Sequence, residues 1–292
     1  MNTIKDIIKI GVVNFRTEWG NKEKNTESMI SYCKEAAKQG VNLILFPETA
    51  LTGYDNDKEH VGNEKMHIKL AENIHGKTTE KFSKIAKEFD MYIVFGMSEK
   101  DNSGKVFNSA AIVSPDGEIS SYRKIHLPFD EKEWAEKSDG PKTINSKWGK
   151  IGITICYDTY CFPELIRYYR AKGARLILNA TACPDIPCTM GAAKLSLPAY
   201  AFINYVFIAS ANICGKEIRS NFTGGSCIIG PDETKGNTKV YAGKMFGEEG
   251  CDKEGLITCE IDLSLADKNT DIPIFNGDWS PKIYNKMYSE FT

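Results

Sequence analysis

The 292-residue chain lacks an excess of either charge: 37 Lys and Arg stand against 39 Asp and Glu, a formal net charge of −2. It has no basic stripe, which argues against nucleic acid or an anionic membrane as the main partner. Histidine is scarce, at 4 residues. The pairs Cys156/Cys161 and Cys183/Cys188 lack the spacing of a zinc knuckle, and His60, His67 and His75 lie far from them in sequence, so no metal site is expected. A G-x-S-x-G elbow is missing, and with it the serine-hydrolase reading. Long apolar runs are missing too. The longest, Ala199 to Ile213, is too short for a bilayer and contains Asn204 and Asn212. The first residues, Met1-Asn2-Thr3-Ile4-Lys5-Asp6, interrupt their apolar character with charge, which disfavours a secretory signal. The expectation is a soluble, cytoplasmic chain.

What is present is material for a large core, with 41% hydrophobic, 11% aromatic and 26% charged residues. The 9 cysteines are odd in number. In a long chain without an export signal they read as reduced thiols, mostly small core hydrophobes. Ile7 to Val13 is a short run rich in β-branched residues and predicts a buried strand. From Lys22 to Lys38, Met29, Ile30, Cys33, Ala36 and Ala37 recur at helical spacing before Gly40. Strands are expected at Leu43 to Phe46, Met91 to Gly96, Val106 to Val113 and Glu118 to Lys124. Helices are expected at Lys65 to Ile74 and Thr78 to Phe89. The second half repeats the alternation, with strands at Lys150 to Ile155, Leu176 to Leu178, Val206 to Ala211, Ser226 to Ile229 and Leu256 to Ile261. Its helices are expected at Pro163 to Ala171 and Met190 to Ile203. This order implies α/β layering around mixed sheets in one domain, residues 1–270, followed by a tail, residues 271–292.

Three residues stand where a strand ends, the place where open α/β sheets gather ligands and catalytic groups. Glu48 follows Phe46-Pro47, Lys124 follows Tyr122-Arg123, and Cys156 follows Gly152-Ile153-Thr154-Ile155. Singly, each has a plain structural reading: a solvated carboxylate, a lysine stem on apolar surface, a buried thiol. Jointly they supply a nucleophile, a base and a cation for a tetrahedral oxyanion.

The motifs around them carry a family resemblance. Phe46-Pro47-Glu48, Tyr122-Arg123-Lys124-Ile125-His126-Leu127 and Ile155-Cys156-Tyr157-Asp158, with Phe162-Pro163-Glu164 following, resemble the three signatures of the nitrilase superfamily of carbon–nitrogen hydrolases. The resemblance runs from about Ile7 to Ile261 and takes in Gly40-Val41-Asn42-Leu43-Ile44-Leu45 and Gly224-Gly225-Ser226. It implies a four-layer αββα sandwich with two mixed sheets, often paired into a homodimer. It also implies a triad in which Glu48 is the general base, Lys124 the oxyanion partner and Cys156 the nucleophile. Glu131 is the candidate for a second glutamate after the lysine motif, with Glu133 open beside it. The backbone N–H of Tyr157 is expected at the oxyanion. Asn179, Thr181 and Arg219 complete the expected oxyanion and substrate contacts. No metal or organic cofactor is required.

The resemblance leaves the reaction open within the superfamily. Tyr157-Asp158 is closer to amidase and carbamoylase branches than the Trp-Glu common in nitrilases. Thr159-Tyr160-Cys161 is one residue longer than usual and holds no arginine. A carboxylate entering a dry pocket needs a partner, arginine above all. The expected substrate is therefore a small linear amide, neutral or amine-bearing, rather than an N-carbamoyl amino acid. Arg219 is the one cation that could reverse this. N-carbamoyl or nitrile hydrolysis, and a catalytically silent binding protein, are the alternatives. Gly76-Lys77-Thr78 lacks the earlier glycine of a phosphate loop, since Ala71 stands there. His126 shares the strand face of Lys124 and reads as a structural hydrogen-bonding residue. The apolar residues of Pro163 to Arg170 and the aromatic tail, with Trp279, Tyr284, Tyr288 and Phe291, are expected at a subunit interface.

Overall fold

The first strands are apolar on both faces, and the fold buries both. The computed structural model describes residues 5–234, 236–269 and 271–291, apart from the side chain of Cys188. Met1 to Ile4, which entered the sequence reading, lie outside the described residues, as does the Cys188 side chain. In chain order the strands are β1 (Ile7–Asn14), β2 (Leu43–Leu45), β3 (Tyr92–Lys100), β4 (Val106–Val113), β5 (Ile119–Arg123), β6 (Thr143–Ser146) and β7 (Gly149–Ile155). There follow β8 (Leu176–Thr181), β9 (Phe207–Asn212), β10 (Cys214–Lys216), β11 (Asn221–Thr223), β12 (Cys227–Pro231), β13 (Thr238–Gly243) and β14 (Gly255–Asp262). They form two six-stranded sheets, β14-β1-β2-β3-β4-β5 and β13-β12-β9-β8-β7-β6, and a small β10-β11 ribbon.

Both sheets are mixed: β1, β2 and β3 run parallel, as do β7, β8 and β9, with antiparallel strands outside them. Successive side chains of a strand point to opposite faces. In the first sheet Leu43, Leu45, Val94 and Ile112 join one buried cluster with Ile151, Ile153 and Ile155 of the second. Ile44, Ile93, Phe95 and Val113 join another, with Met29 and Cys33 of helix α1 (Lys22–Lys38). Helix α2 (Met66–Lys69) is a single turn, and α3 (Lys77–Phe89) adds Phe82 and Ala86 to that outer cluster. On the far side of the second sheet lie α4 (Tyr157–Cys161), α5 (Pro163–Ala171) and α6 (Pro187–Asn204). Gly152 lets α5 approach, because a Cβ there would lie 2.6 Å from the Tyr169 ring. The layers are therefore helix, sheet, sheet, helix, the expected sandwich.

Four expectations change. The helix from Lys65 to Ile74 is replaced by a 3-10 turn at Gly62–Glu64 and the short α2. The chain then pairs with β3, Glu72 N–H donating to Ser98 C=O and Lys100 N–H to Glu72 C=O. Strands β6, β10, β11 and β13 were not expected, being short strands away from the sheet centres and rich in polar residues. The turn after Cys156 becomes helical at once, rather than at Pro163. The tail carries two short helices, α7 (Pro273–Asn276) and α8 (Pro281–Tyr288). Among the described residues, no helix is long and apolar enough to cross a membrane.

Candidate active site

Ends of strands from both sheets converge on one point. Glu48 lies three residues past β2, in a tight turn where Gly53 N–H donates to Thr49 C=O at 2.8 Å. Gly96 of β3 makes room for it: a Cβ there would lie 2.1 Å from Thr49 N and 2.5 Å from Glu48 C. Gly96 also receives the turn, its N–H donating to Pro47 C=O and its carbonyl accepting from Leu51 N–H. Lys124 directly follows β5 and Cys156 directly follows β7.

Lys124 is fully buried, as is Glu48, and Glu131 nearly so. The ammonium donates to Glu48 Oε1 at 2.6 Å and to Glu131 Oε1 at 2.7 Å. Asn108 of β4 bridges the two carboxylates, donating to Glu48 Oε1 at 2.8 Å and Glu131 Oε2 at 3.0 Å. The Tyr54 hydroxyl donates to Glu131 Oε1 at 2.8 Å, and Ala182 N–H to Glu48 Oε2 at 2.9 Å. Glu131 rather than Glu133 reaches the lysine. Glu133 is exposed and pairs with Lys65 and Lys58.

Cys156 has φ of +48°, a conformation a non-glycine side chain adopts only at a cost of order 1–3 kcal/mol. The turn is held from both directions. Its N–H donates to Asn179 Oδ1 at 3.1 Å and Ala180 C=O at 3.0 Å, while its carbonyl accepts from Thr159 and Tyr160 N–H.

Burial pushes the Cys156 thiol well above its usual pKa, and the Glu48 charge adds to this, against the opposing pull of Lys124. The resting sulfur is therefore a protonated thiol beside a carboxylate. Burial works against the Lys124 charge, but Glu131 and Glu48 outweigh it and raise its pKa, so the ammonium stays charged. Burial pushes Glu131 up to about 7, Lys124 opposing and Glu48 adding to the shift.

Cys156 opens into a cavity of about 590 Å³ walled by Tyr54, Phe129, Trp134, Tyr157 and Tyr160, among others. Tyr157 thus faces the cavity, and Arg219 stands at its rim, its guanidinium 3.7 Å from Asp130. Asn179 stands apart from the cavity-lining residues: fully buried behind Cys156, it accepts from Cys156 N–H and Thr159 Oγ1 and donates to the Tyr160 and Ser210 hydroxyls. Thr181 is likewise behind the wall, accepting from Tyr160 OH at 3.1 Å, and its hydroxyl reaches the Cys156 sulfur in a contact that favours the thiolate.

The carbon–nitrogen hydrolase family matches residues 9–268 of this sequence. The chain belongs to that family. It is 33% identical over 263 residues to a nitrilase of Pyrococcus abyssi, covering 89% of this chain and 92% of the relative. It is 31% identical to the omega-amidase NIT2 of Xenopus tropicalis, covering 87% of this chain and 88% of that one. Among solved structures, Nit3 of Saccharomyces cerevisiae, a member of the nitrilase superfamily, shares the fold with a TM-score of 0.77 at 24% identity, covering 91% and 94% of the two chains. An amidase from Nesterenkonia sp. does so with a TM-score of 0.71 at 22% identity, covering 92% and 94%.

Several residues around the site of this carbon–nitrogen hydrolase were not foreseen from the sequence, Tyr54 and Ala182 among them, together with Asn108, Asp55 and Glu217. Asn108 sits mid-strand in Val106–Val113, where its alternation with Phe107 and Ser109 puts a lone amide on a buried face. Asp55 accepts from Arg219 N–H, Ser220 N–H and Ser220 Oγ. Glu217 accepts from Tyr54 N–H, Asp55 N–H and Thr17 Oγ1. These two acids lash the β10-β11 ribbon to the segment bearing Tyr54. No sequence spacing signals such a long-range pairing.

Proposed function

We propose that this carbon–nitrogen hydrolase cleaves the amide bond of a small molecule, releasing the acid and ammonia through a thioester on Cys156. One observation carries the reading: the buried Cys156 thiol opens on a cavity that Glu131 also lines, and Glu131 and Glu48 hold the Lys124 ammonium between them behind that wall. Glu48 takes the thiol proton as the sulfur bonds to the amide carbon. An ammonium has three N–H donors. The two carboxylates occupy two of those of Lys124, leaving the third for the oxyanion, together with the Tyr157 N–H. Glu48 then returns the proton to nitrogen, the C–N bond breaks and ammonia leaves. Water gives a proton to Glu48 as its oxygen attacks the thioester; the C–S bond breaks and the sulfur is reprotonated. Glu131 fixes the ammonium between the two acids.

The cavity wall supports a neutral or amine-bearing amide. Its aromatic lining offers little to an anion, and each of its rim cations already faces an acid: Lys58 lies 2.7 Å from Asp130 and 3.4 Å from Glu133, and Arg219 lies 3.7 Å from Asp130. The test is ammonia release, with the acid identified, across aliphatic amides, their ω-carboxylate analogues, N-carbamoyl compounds and nitriles. Highest kcat/KM on a plain amide is expected. A tenfold or greater preference for the carboxylate analogue, abolished by Arg219→Ala, would overturn the substrate reading. Turnover of none of these compounds would overturn the reaction.

A further inference from the structure

Asp158 is fully buried two positions after Cys156, yet none of the steps above uses it. Its carboxylate is held by four donors, all from the segment that carries Lys124. Tyr122 OH donates to Oδ2 at 2.6 Å and Ile125 N–H to Oδ2 at 3.3 Å. His126 N–H donates to Oδ1 at 2.9 Å, and the Nδ1 edge of its ring lies 2.8 Å from the same oxygen. The donors flank Lys124 on both sides in sequence.

A second tie runs beside the first. The His126 ring lies flat on Phe162, with centroids 3.3 Å apart and an interplanar angle of 6°. Phe162 in turn meets the Tyr157 ring edge-on at 5.3 Å. Tyr157 adjoins the nucleophile and walls the cavity. These ties have work to do because β5 and β7 belong to different sheets. No strand ladder sets the spacing between the ammonium of Lys124 and the sulfur of Cys156, so side chains must.

We propose that Asp158 and His126 are positioning residues that hold the Cys156 turn in register with Lys124, through the carboxylate and through the His126–Phe162–Tyr157 stack. The proposal rests on the roles given to Cys156 and Lys124 above. A buried carboxylate that accepts several hydrogen bonds is a stiff link, and the ring stack alone would be a looser one.

The test compares wild type with His126→Ala, His126→Asn and Tyr122→Phe. It reads kcat and KM on an amide, and separately the rate at which iodoacetamide alkylates Cys156, located by mass spectrometry. Misplacement of reacting groups by about 1 Å costs on the order of 100-fold, so His126→Ala is expected to lose about that much in kcat and in alkylation rate, with KM changed less than about threefold. His126→Asn keeps an N–H donor near the Nδ1 position and should recover about tenfold of the loss in both. Tyr122→Phe removes one donor at nearly constant volume and should slow both rates even if His126→Ala fails to fold. Wild-type alkylation rates in Tyr122→Phe and in the folded His126 variants, or a loss confined to KM, would overturn the proposal. If wild type turns over no amide, the functional reading fails, while the alkylation rates still decide this one.

Discussion

Burial brings the ionisation of Glu131 close to neutrality. Burial first, and then the Glu48 charge, lift it from 4.5 to about 7 against the pull of Lys124. The folded chain therefore binds this proton more tightly than the unfolded chain does. Its contribution to stability is full below about pH 4.5 and is lost as pH rises through about 7. Glu131→Gln should remove this component, so that Tm falls less between pH 4.5 and 7 than in wild type; equal slopes in a pH series of melting curves would contradict the assignment. The role proposed for Lys124 rests on its charge, and its buried ion pairs add a structural one. Lys124→Met should lower kcat by about 100- to 1,000-fold, the usual cost of an oxyanion donor. Because it also leaves two buried carboxylates uncompensated, it should lower stability by about 3–5 kcal/mol, measured by denaturant titration. Glu48, Lys124 and Cys156 could be singled out in the sequence because each stands at or just past the end of a strand within a motif. The choice between Glu131 and Glu133 was not legible there, since both lie in one acidic loop. Only the register of the 3-10 turn Phe129–Glu133 buries the first and exposes the second.

At the scale of elements, apolar runs and helical spacing were enough to place most strands and helices, several to the residue, as with Val106–Val113 and Pro163–Ala171. Short outer strands were not legible, because Thr143–Ser146 and Thr238–Gly243 are held by neighbours rather than by a buried face of their own. The element that most directly serves the site is the packing of the Glu48 turn on β3. Gly96→Ala would place a methyl against the backbone of that turn. Overpacking of this kind costs about 1–3 kcal/mol, and here the strain falls on the turn bearing Glu48. The expected result is a lowered Tm together with a loss of kcat; a variant that melts lower but turns over normally would separate Gly96 from the site.

For the whole molecule, the structure corrects the interface residues expected on Pro163 to Arg170: Leu165, Ile166 and Tyr169 are buried within the chain and of the four only Tyr168 is exposed, while α6 exposes a larger apolar face. Leu195 is 74% exposed on α6, with Phe202 and Ile203 also exposed on that helix. The tail crosses α5 beside this face: Tyr288 OH donates to Glu164 at 3.0 Å, and the Arg170 guanidinium lies over the Phe275 ring. Ile283 and Met287 of α8 extend the apolar surface outward. Exposed apolar patches of this kind mark interaction sites. A homodimer through this face is expected by light scattering at micromolar concentration, and Leu195→Asp with Phe202→Asp should shift it to monomer; a stable wild-type monomer would contradict this.

The account turns on one sulfur. Three cysteines, Cys156, Cys161 and Cys183, line the cavity, so chemistry at a thiol does not by itself name the nucleophile. The most direct measurement is to quench the enzyme during turnover of an amide substrate and locate the acyl group by peptide mass spectrometry. The expected result is an acyl adduct on Cys156, absent in Cys156→Ala and strongly diminished in Glu48→Gln, which lacks the base that takes the thiol proton. An adduct on Cys161 or Cys183, or undiminished turnover in Cys156→Ala, would contradict the account.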